Sequence, residues 1–127
     1  KYWHRIDMID GLFDLIQSLR NKGLIVCLAT NQQSHRMAYM RDQLGYDAHF
    51  DHCFYSCEVG HTKPEADYFH AIANQLPVVI SECLFVDDSE ANVAGAGSAG
   101  MLASHYKFRE RRNAASELLA LVQARLV

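Results

Sequence analysis

Short apolar runs alternate with amphipathic stretches along the chain. Apolar positions three or four residues apart predict helices, and short runs rich in branched residues predict strands. The helical stretches are 9–19, 37–44, 69–76, 90–99 and 115–126, and the strand-length runs are 24–30, 49–56, 84–86 and 101–105. Ser34 is predicted to cap the second helix and Gly45 to end it, and Gly100 is predicted to end the fourth. Strands that alternate with helices are typical of βαβ units, so the sequence predicts an α/β fold with helices on both faces of a mostly parallel sheet.

Length and composition limit the classes of function. The 127 residues suit one domain, and a net charge of −3 gives no basic surface for nucleic acid or an anionic membrane. No apolar run approaches the ~20 residues that span a bilayer. The cysteines are predicted to be reduced thiols of a cytoplasmic protein and not a disulfide framework. The oligomeric state is left open.

Two adjacent carboxylates follow an apolar run directly. Asp87 and Asp88 come after Leu84 to Val86, and Asn92 lies one helical turn further on. In open α/β sheets ligands bind beyond the carboxyl ends of the strands. Mg²⁺ is usually held there by one or two carboxylates together with water and phosphate. The pair therefore predicts a Mg²⁺ site, although a single acid at this position is also a common helix cap.

A hydroxyl, an amide and a cation follow the two earlier strand runs. Thr30 is placed to donate its hydroxyl to a phosphate oxygen, with help from Asn31, and Lys63 to neutralise phosphoryl charge. Taken singly, each is also common as a turn residue or as a solvated loop lysine. Truncation at a strand end or in a loop leaves no core cavity, so Thr30 and Lys63 are expected to matter little for folding.

Two further features need an interpretation. Gly95 and Gly97 each cost about 1 kcal/mol in a helix interior relative to Ala, which predicts that this helix approaches the sheet closely. A separate cluster carries zinc-type ligands, but its spacing matches no closed zinc pattern and strand alternation would point neighbours to opposite faces. We interpret its members as incidental strand and loop residues: His49, His52, Cys53, Cys57 and His61.

Taken in order, these motifs resemble the haloacid dehalogenase-like hydrolases. The likeness rests on an apolar strand ending in Thr30-Asn31, the stretch 57–64 with Lys63-Pro64, and Phe85-Val86-Asp87-Asp88 followed by Asn92. It covers residues 9–127 and is greatest to the phosphatase-type members with a helical cap. The resemblance implies a Rossmann-like core and Mg²⁺-dependent hydrolysis of a small phosphorylated metabolite through an aspartyl-phosphate.

The resemblance also implies a role for each matching residue. Thr30 would be the phosphate ligand of the second motif, with Asn31 beside it, and Lys63 the lysine of the third. Asp88 would be the principal metal ligand and Asp87 a supporting one, with Asn92 as a further supporting residue.

The family's first motif has no counterpart in this sequence. That motif is a strand ending in D-x-D, which supplies the nucleophile and the general acid/base. The acids Asp7 and Asp10 have the wrong spacing and precede a helix. Residues 1–9 are expected to be the remnant of a cap or linker, and residues 10–127 a core without its first strand. We therefore expect this chain alone to be inactive and to require an N-terminal segment of the same protein.

Three other functions stay open at this point. A haloacid dehalogenase would use a similar site. A receiver-like signalling module also combines an acid pair, a hydroxyl and a lysine, but there the acids come first in the chain and the lysine last. A non-catalytic domain could hold metal or phosphate, or bind a partner. The substrate is not predicted, because in capped members the cap selects it.

Overall fold

A computed structural model of the protein describes residues 12–43, 45–106 and 114–126. Its elements, in chain order, are α1 (Leu12–Asn21), β1 (Cys27–Thr30), α2 (Ser34–Asp42), α3 (Tyr46–His49), β2 (His52–Tyr55), α4 (Ser56–Val59), α5 (Ala66–Ala73), β3 (Leu84–Asp87), α6 (Glu90–Ala99), β4 (Leu102–His105) and α7 (Ala114–Leu126). None of the helices in these ranges has the length and apolar character needed to cross a membrane. Residues 1–9, predicted to be a cap or linker remnant, lie outside the described residues.

The strands form two parallel pairs. In one pair β1 lies beside β2, with Cys27 opposite His52. In the other, β3 lies beside β4, with Leu84 opposite Leu102. Within the described part of the chain the two pairs do not hydrogen-bond to each other. The predicted α/β class with parallel strands is therefore confirmed, while the expected sheet is divided into two halves.

A cleft of about 430 Å³ separates the two halves of the sheet. Both β1 and β3 line it, and apolar side chains of α1 and α7 also line it: Leu15, Leu19, Leu118 and Val122. The α1 and α7 side chains pack together in a cluster of their own with Tyr106. Each inner strand thus has a strand partner on one side and an apolar cleft on the other.

Aromatic side chains build the core beside the β3–β4 pair. Tyr68 and Phe69 of α5 are fully buried, and the Phe69 and Phe85 rings meet edge to face at 5.1 Å. Ala96 of α6 is also fully buried in this cluster. A second cluster packs α1, α2 and α3 against β1 and β2 around Tyr55. Helices therefore pack against both strand pairs.

Several element boundaries differ from the sequence-based prediction. The predicted strand 49–56 is only His52–Tyr55, because the short helices α3 and α4 flank it on both sides. Gly45, expected to end a helix, has φ 66° and instead begins α3, which buries Tyr46. The N-cap of α2 is Gln33, not Ser34. The predicted stop at Gly100 is confirmed, with φ 109° at the end of α6.

Candidate functional site

Three predicted residues converge where β1 and β3 end. Thr30 is the last residue of β1 and Asp87 the last of β3, and both line the cleft together with Lys63. The ammonium Nζ of Lys63 donates to the Ala29 carbonyl oxygen at 2.9 Å and to Asp87 Oδ2 at 2.9 Å. Lys63 thus connects the carboxyl ends of the two strands.

The Asp87 carboxylate is buried and accepts hydrogen bonds through both of its oxygens. Besides the Lys63 ammonium, the Ser89 backbone N–H donates to its Oδ1 at 3.0 Å and the Asn92 side-chain amide donates to its Oδ2 at 3.2 Å. Burial alone would raise the pKa of Asp87, but the hydrogen bond and charge of Lys63, together with the hydrogen bond from the Ser89 N–H, hold this pKa below its ordinary value. Asp87 therefore carries its negative charge at neutral pH.

Lys63 is not the solvated loop lysine that its position in the sequence allowed. Its side chain is only 9% exposed, and its Nζ lies 5.5 Å from the centroid of the buried Phe85 ring. A desolvated ammonium needs a partner, and Asp87 is that partner. The expectation that Lys63 matters little for folding assumed that truncation in a loop leaves no buried gap, and the burial of this side chain removes that basis.

The Thr30 hydroxyl has a partner that leaves its proton available. Gln32 Nε2 donates to Thr30 Oγ1 at 2.9 Å, so the hydroxyl oxygen accepts and its hydrogen can point elsewhere. The loop is fixed by the buried Ser56 Oγ, which accepts from the Gln32 backbone N–H at 2.9 Å. Sequence reasoning missed Gln32 and Ser56, and their only signal was a polar side chain within two residues of a strand end.

The amide of Asn31 is directed toward the backbone of Lys63. Asn31 Nδ2 donates to the Lys63 carbonyl oxygen at 3.1 Å, and the Lys63 N–H donates to Asn31 Oδ1 at 2.9 Å. These two bonds leave one amide hydrogen of Asn31 available for a phosphate oxygen. Phosphate binding by Asn31 therefore stays a prediction.

The acid pair consists of one buried and one exposed carboxylate. Asp88 is exposed beside the buried Asp87, and His105 Nε2 lies 2.9 Å from the Asp88 backbone carbonyl oxygen. The described ranges contain no group of three or more His, Cys, Asp or Glu side chains arranged to hold a metal ion. Two carboxylates nevertheless fit the needs of Mg²⁺, which usually takes its other ligands from water and phosphate.

Three members of the zinc-type cluster take part in local packing. The His49 ring stacks on Phe13 with centroids 3.6 Å apart, and the His52 ring stacks on Phe54 at 5.7 Å. Cys57 Sγ lies 3.5 Å from Met37 Sδ. These contacts assign local packing roles to these side chains.

The parallel strands therefore bring a hydroxyl, a buried lysine and an acid pair to one edge of the sheet. Residues 1–100 match the model of the haloacid dehalogenase-like hydrolase family, and the chain belongs to that family.

Proteins similar to this chain include enzymes that act on nucleotides. GMP/IMP nucleotidase YrfG of Escherichia coli (strain K12) is 30% identical over 86 residues, which cover 68% of this chain and 39% of the relative. Flavin mononucleotide hydrolase 1 of Arabidopsis thaliana is 30% identical over 95 residues, covering 73% and 38%. The chain thus spans well under half the length of these relatives.

A solved structure extends the likeness to three dimensions. The HAD-hydrolase YfnB of Bacillus subtilis, crystallised with magnesium bound, superimposes with a TM-score of 0.72 at 26% identity. The match covers 90% of this chain and 55% of YfnB. The Rossmann-like core of the family is therefore the fold of this chain.

Proposed function

We propose that this chain is the core of a Mg²⁺-dependent phosphatase that hydrolyses a small phosphorylated molecule through an aspartyl-phosphate. The observation that carries the proposal is the Lys63 ammonium, which lies 2.9 Å from both the Ala29 carbonyl and Asp87 Oδ2. Lys63 holds its cation beside the Asp87 carboxylate at the end of the cleft that Thr30 also lines, and phosphoryl transfer requires a cation, hydroxyl donors and carboxylates of this kind.

Each residue of this chain has a defined task in the proposal. Thr30 donates its free hydroxyl proton to a phosphoryl oxygen, and Lys63 stabilises the charge on the phosphoryl group. Asp88 and Asp87 would hold Mg²⁺, whose chemistry there is to neutralise negative charge on phosphate oxygens. Asn92 keeps the Asp87 carboxylate oriented through its 3.2 Å hydrogen bond.

The nucleophile would come from a segment that precedes this sequence in the same protein. The cleft supports this, because β1 and β3 both line it and have their strand partners on their outer sides. An extended segment running parallel between them would end beside Lys63. A D-x-D motif at that end would place the first Asp against the Thr30 hydroxyl and the Lys63 ammonium.

The substrate class is inferred from the relatives and the cellular setting from the cysteines. The names of YrfG and of the Arabidopsis hydrolase give GMP, IMP and flavin mononucleotide as substrates, and all three are phosphate monoesters. We infer a phosphate monoester of nucleotide size. The four cysteines are free, which supports the expected cytoplasmic setting.

The test uses a longer form of the protein that carries the upstream segment. Its Mg²⁺-dependent release of phosphate from p-nitrophenyl phosphate, GMP, IMP and flavin mononucleotide is measured. Lys63→Met should lower turnover by about 100-fold or more, the usual effect of losing one electrostatic stabiliser. Asp88→Asn should weaken Mg²⁺ binding in calorimetry, while Glu90→Gln, which removes one charge from the same helix start, should leave it unchanged.

Four other outcomes would each contradict the proposal or one part of it. Equal Mg²⁺ affinity in wild type and Asp88→Asn removes Asp88 from the site. Halide release from a 2-haloacid without phosphatase activity favours a dehalogenase. Binding of Mg²⁺ or phosphate without turnover favours a non-catalytic domain. Turnover by the 127-residue chain alone means that another residue is the nucleophile.

A further inference from the structure

The backbone of Lys63 is held from one side by a side-chain amide. Asn31 accepts from the Lys63 N–H and donates to the Lys63 carbonyl, so one planar amide binds both polar groups of a single residue. A pair of hydrogen bonds of this kind fixes orientation as well as position, since both must be linear at once. Asn31 therefore fixes the position of the Lys63 backbone from which the side chain extends.

A glycine of α6 meets the same segment from the other side. A Cβ added to Gly95 would lie 2.1 Å from the Pro64 carbonyl oxygen and 3.0 Å from the Pro64 carbonyl carbon. These are backbone atoms, so a side chain here requires the Lys63–Pro64 segment or the helix to move. The glycines of this helix predicted a close approach to the sheet. At Gly95 the close approach is to the Lys63–Pro64 loop instead, while Gly97 has open space around it.

We propose that Asn31 and Gly95 are positioning residues that fix the Lys63–Pro64 segment so that the Lys63 ammonium sits between β1 and Asp87. The expected effect on catalysis rests on the proposed function, whereas the expected effect on the position of the Lys63 ammonium does not. Lys63 needs this support because its ammonium must meet the Ala29 carbonyl and Asp87 Oδ2 together, each at 2.9 Å. A shift of the segment by about 1 Å would break one of these contacts.

Chemical labelling of lysine tests the positioning role in the chain itself. Lys63 is 9% exposed, whereas Lys22 is exposed after α1, so acetic anhydride should modify Lys22 first. Peptide mass spectrometry gives the Lys63 to Lys22 labelling ratio. We expect Asn31→Ala to raise this ratio by about tenfold or more, because two hydrogen bonds are lost. Gly95→Ala should raise it similarly.

Matched controls separate local release from general loosening. Gln33→Ala changes an exposed neighbour in the same loop, and Gly97→Ala makes the same change as Gly95→Ala in open space. Both should keep the wild-type ratio. If Asn31→Ala does not fold by near-ultraviolet circular dichroism, Asn31→Asp replaces it, since it keeps the oxygen that accepts from the Lys63 N–H. A wild-type ratio in folded Asn31 and Gly95 variants would overturn the proposal.

A double-mutant cycle tests the catalytic consequence in the longer, active form. Asn31→Ala should lower kcat in the wild-type background and have no further effect in the Lys63→Met background, because its influence passes through Lys63. An equal loss of kcat in both backgrounds would show that Asn31 acts independently and would overturn the positioning role. If the longer form has no phosphatase activity, the proposed function fails, and the labelling ratios still decide the positioning role.

Discussion

At the scale of single residues, the buried Lys63–Asp87 pair links stability to pH. The pKa of Asp87 is lower in the folded chain than in the unfolded one, because Lys63 and the Ser89 N–H together outweigh the effect of burial. A lowered carboxyl pKa stabilises the fold above the unfolded value, and this stabilisation is lost as pH falls below about 4. The pair is therefore expected to stabilise the chain at neutral pH and not in acid.

Replacement of Lys63 by Met tests this link. The variant leaves Asp87 buried without its cation, which should cost roughly 3 kcal/mol at neutral pH. Burial then raises the pKa of Asp87, so protonation relieves the cost and the gap to wild type should narrow as pH falls from about 6 to 3. Urea unfolding at each pH gives the gap. Lys22→Met, at an exposed position, is the control, and a gap independent of pH would contradict the prediction.

At this scale the sequence identified the candidate side chains of the site but not their hydrogen-bond partners. Thr30, Lys63 and Asp87 could be proposed because each follows a strand run, and parallel strands end on one edge. Their partners could not, because hydrogen bonds such as Gln32 to Thr30 or Asn31 to the Lys63 backbone depend on loop geometry. The burial of Lys63 could not be predicted from the sequence either, since a lysine in a loop is usually solvated.

At the scale of elements, the glycine inside α6 and the glycine at its C-terminal end should respond in opposite ways to replacement by alanine. Gly97 lies inside the helix with open space around it, so Gly97→Ala should stabilise the chain by up to about 1 kcal/mol through helix propensity. Gly100 has φ 109° at the helix end, where an L side chain is strained, so Gly100→Ala should destabilise it by about 1 kcal/mol or more. Thermal unfolding of both variants gives the two signs. Stabilisation by Gly100→Ala would contradict the structure of this helix end.

The elements themselves were largely predictable, and their ends were not. Apolar periodicity located α1, α5 and α7, and apolar runs located each strand, because burial of one face determines both patterns. The strand run at 24–30 shortens to Cys27–Thr30, since pairing with β2 begins only where Cys27 meets His52. Pairing of this kind is a tertiary property, which local composition does not contain.

At the scale of the whole molecule, the divided sheet is the dominant feature. The pairs β1–β2 and β3–β4 lie on either side of a cleft of about 430 Å³, which α1 and α7 also line with leucine and valine side chains. A strand edge next to an apolar cleft combines unpaired backbone groups with hydrophobic surface, and both favour the binding of another extended segment. The proposed upstream strand would satisfy both at once.

The last prediction follows from this arrangement and concerns hydrogen exchange. In the 127-residue chain, the amides of β1 and β3 that do not bond to β2 or β4 should exchange quickly. In a longer form that carries the upstream strand they should become protected, because each backbone group left unsatisfied in a buried position costs about 1–3 kcal/mol. The amides of β2 and β4 that face away from the cleft serve as the internal control and should change little.

The dye 8-anilinonaphthalene-1-sulfonate should bind the shorter chain at the apolar cleft and bind the longer form less. Equal exchange of the β1 and β3 amides in both forms would mean that the upstream segment does not enter the cleft, and the proposed position of the nucleophile beside Lys63 would then be wrong.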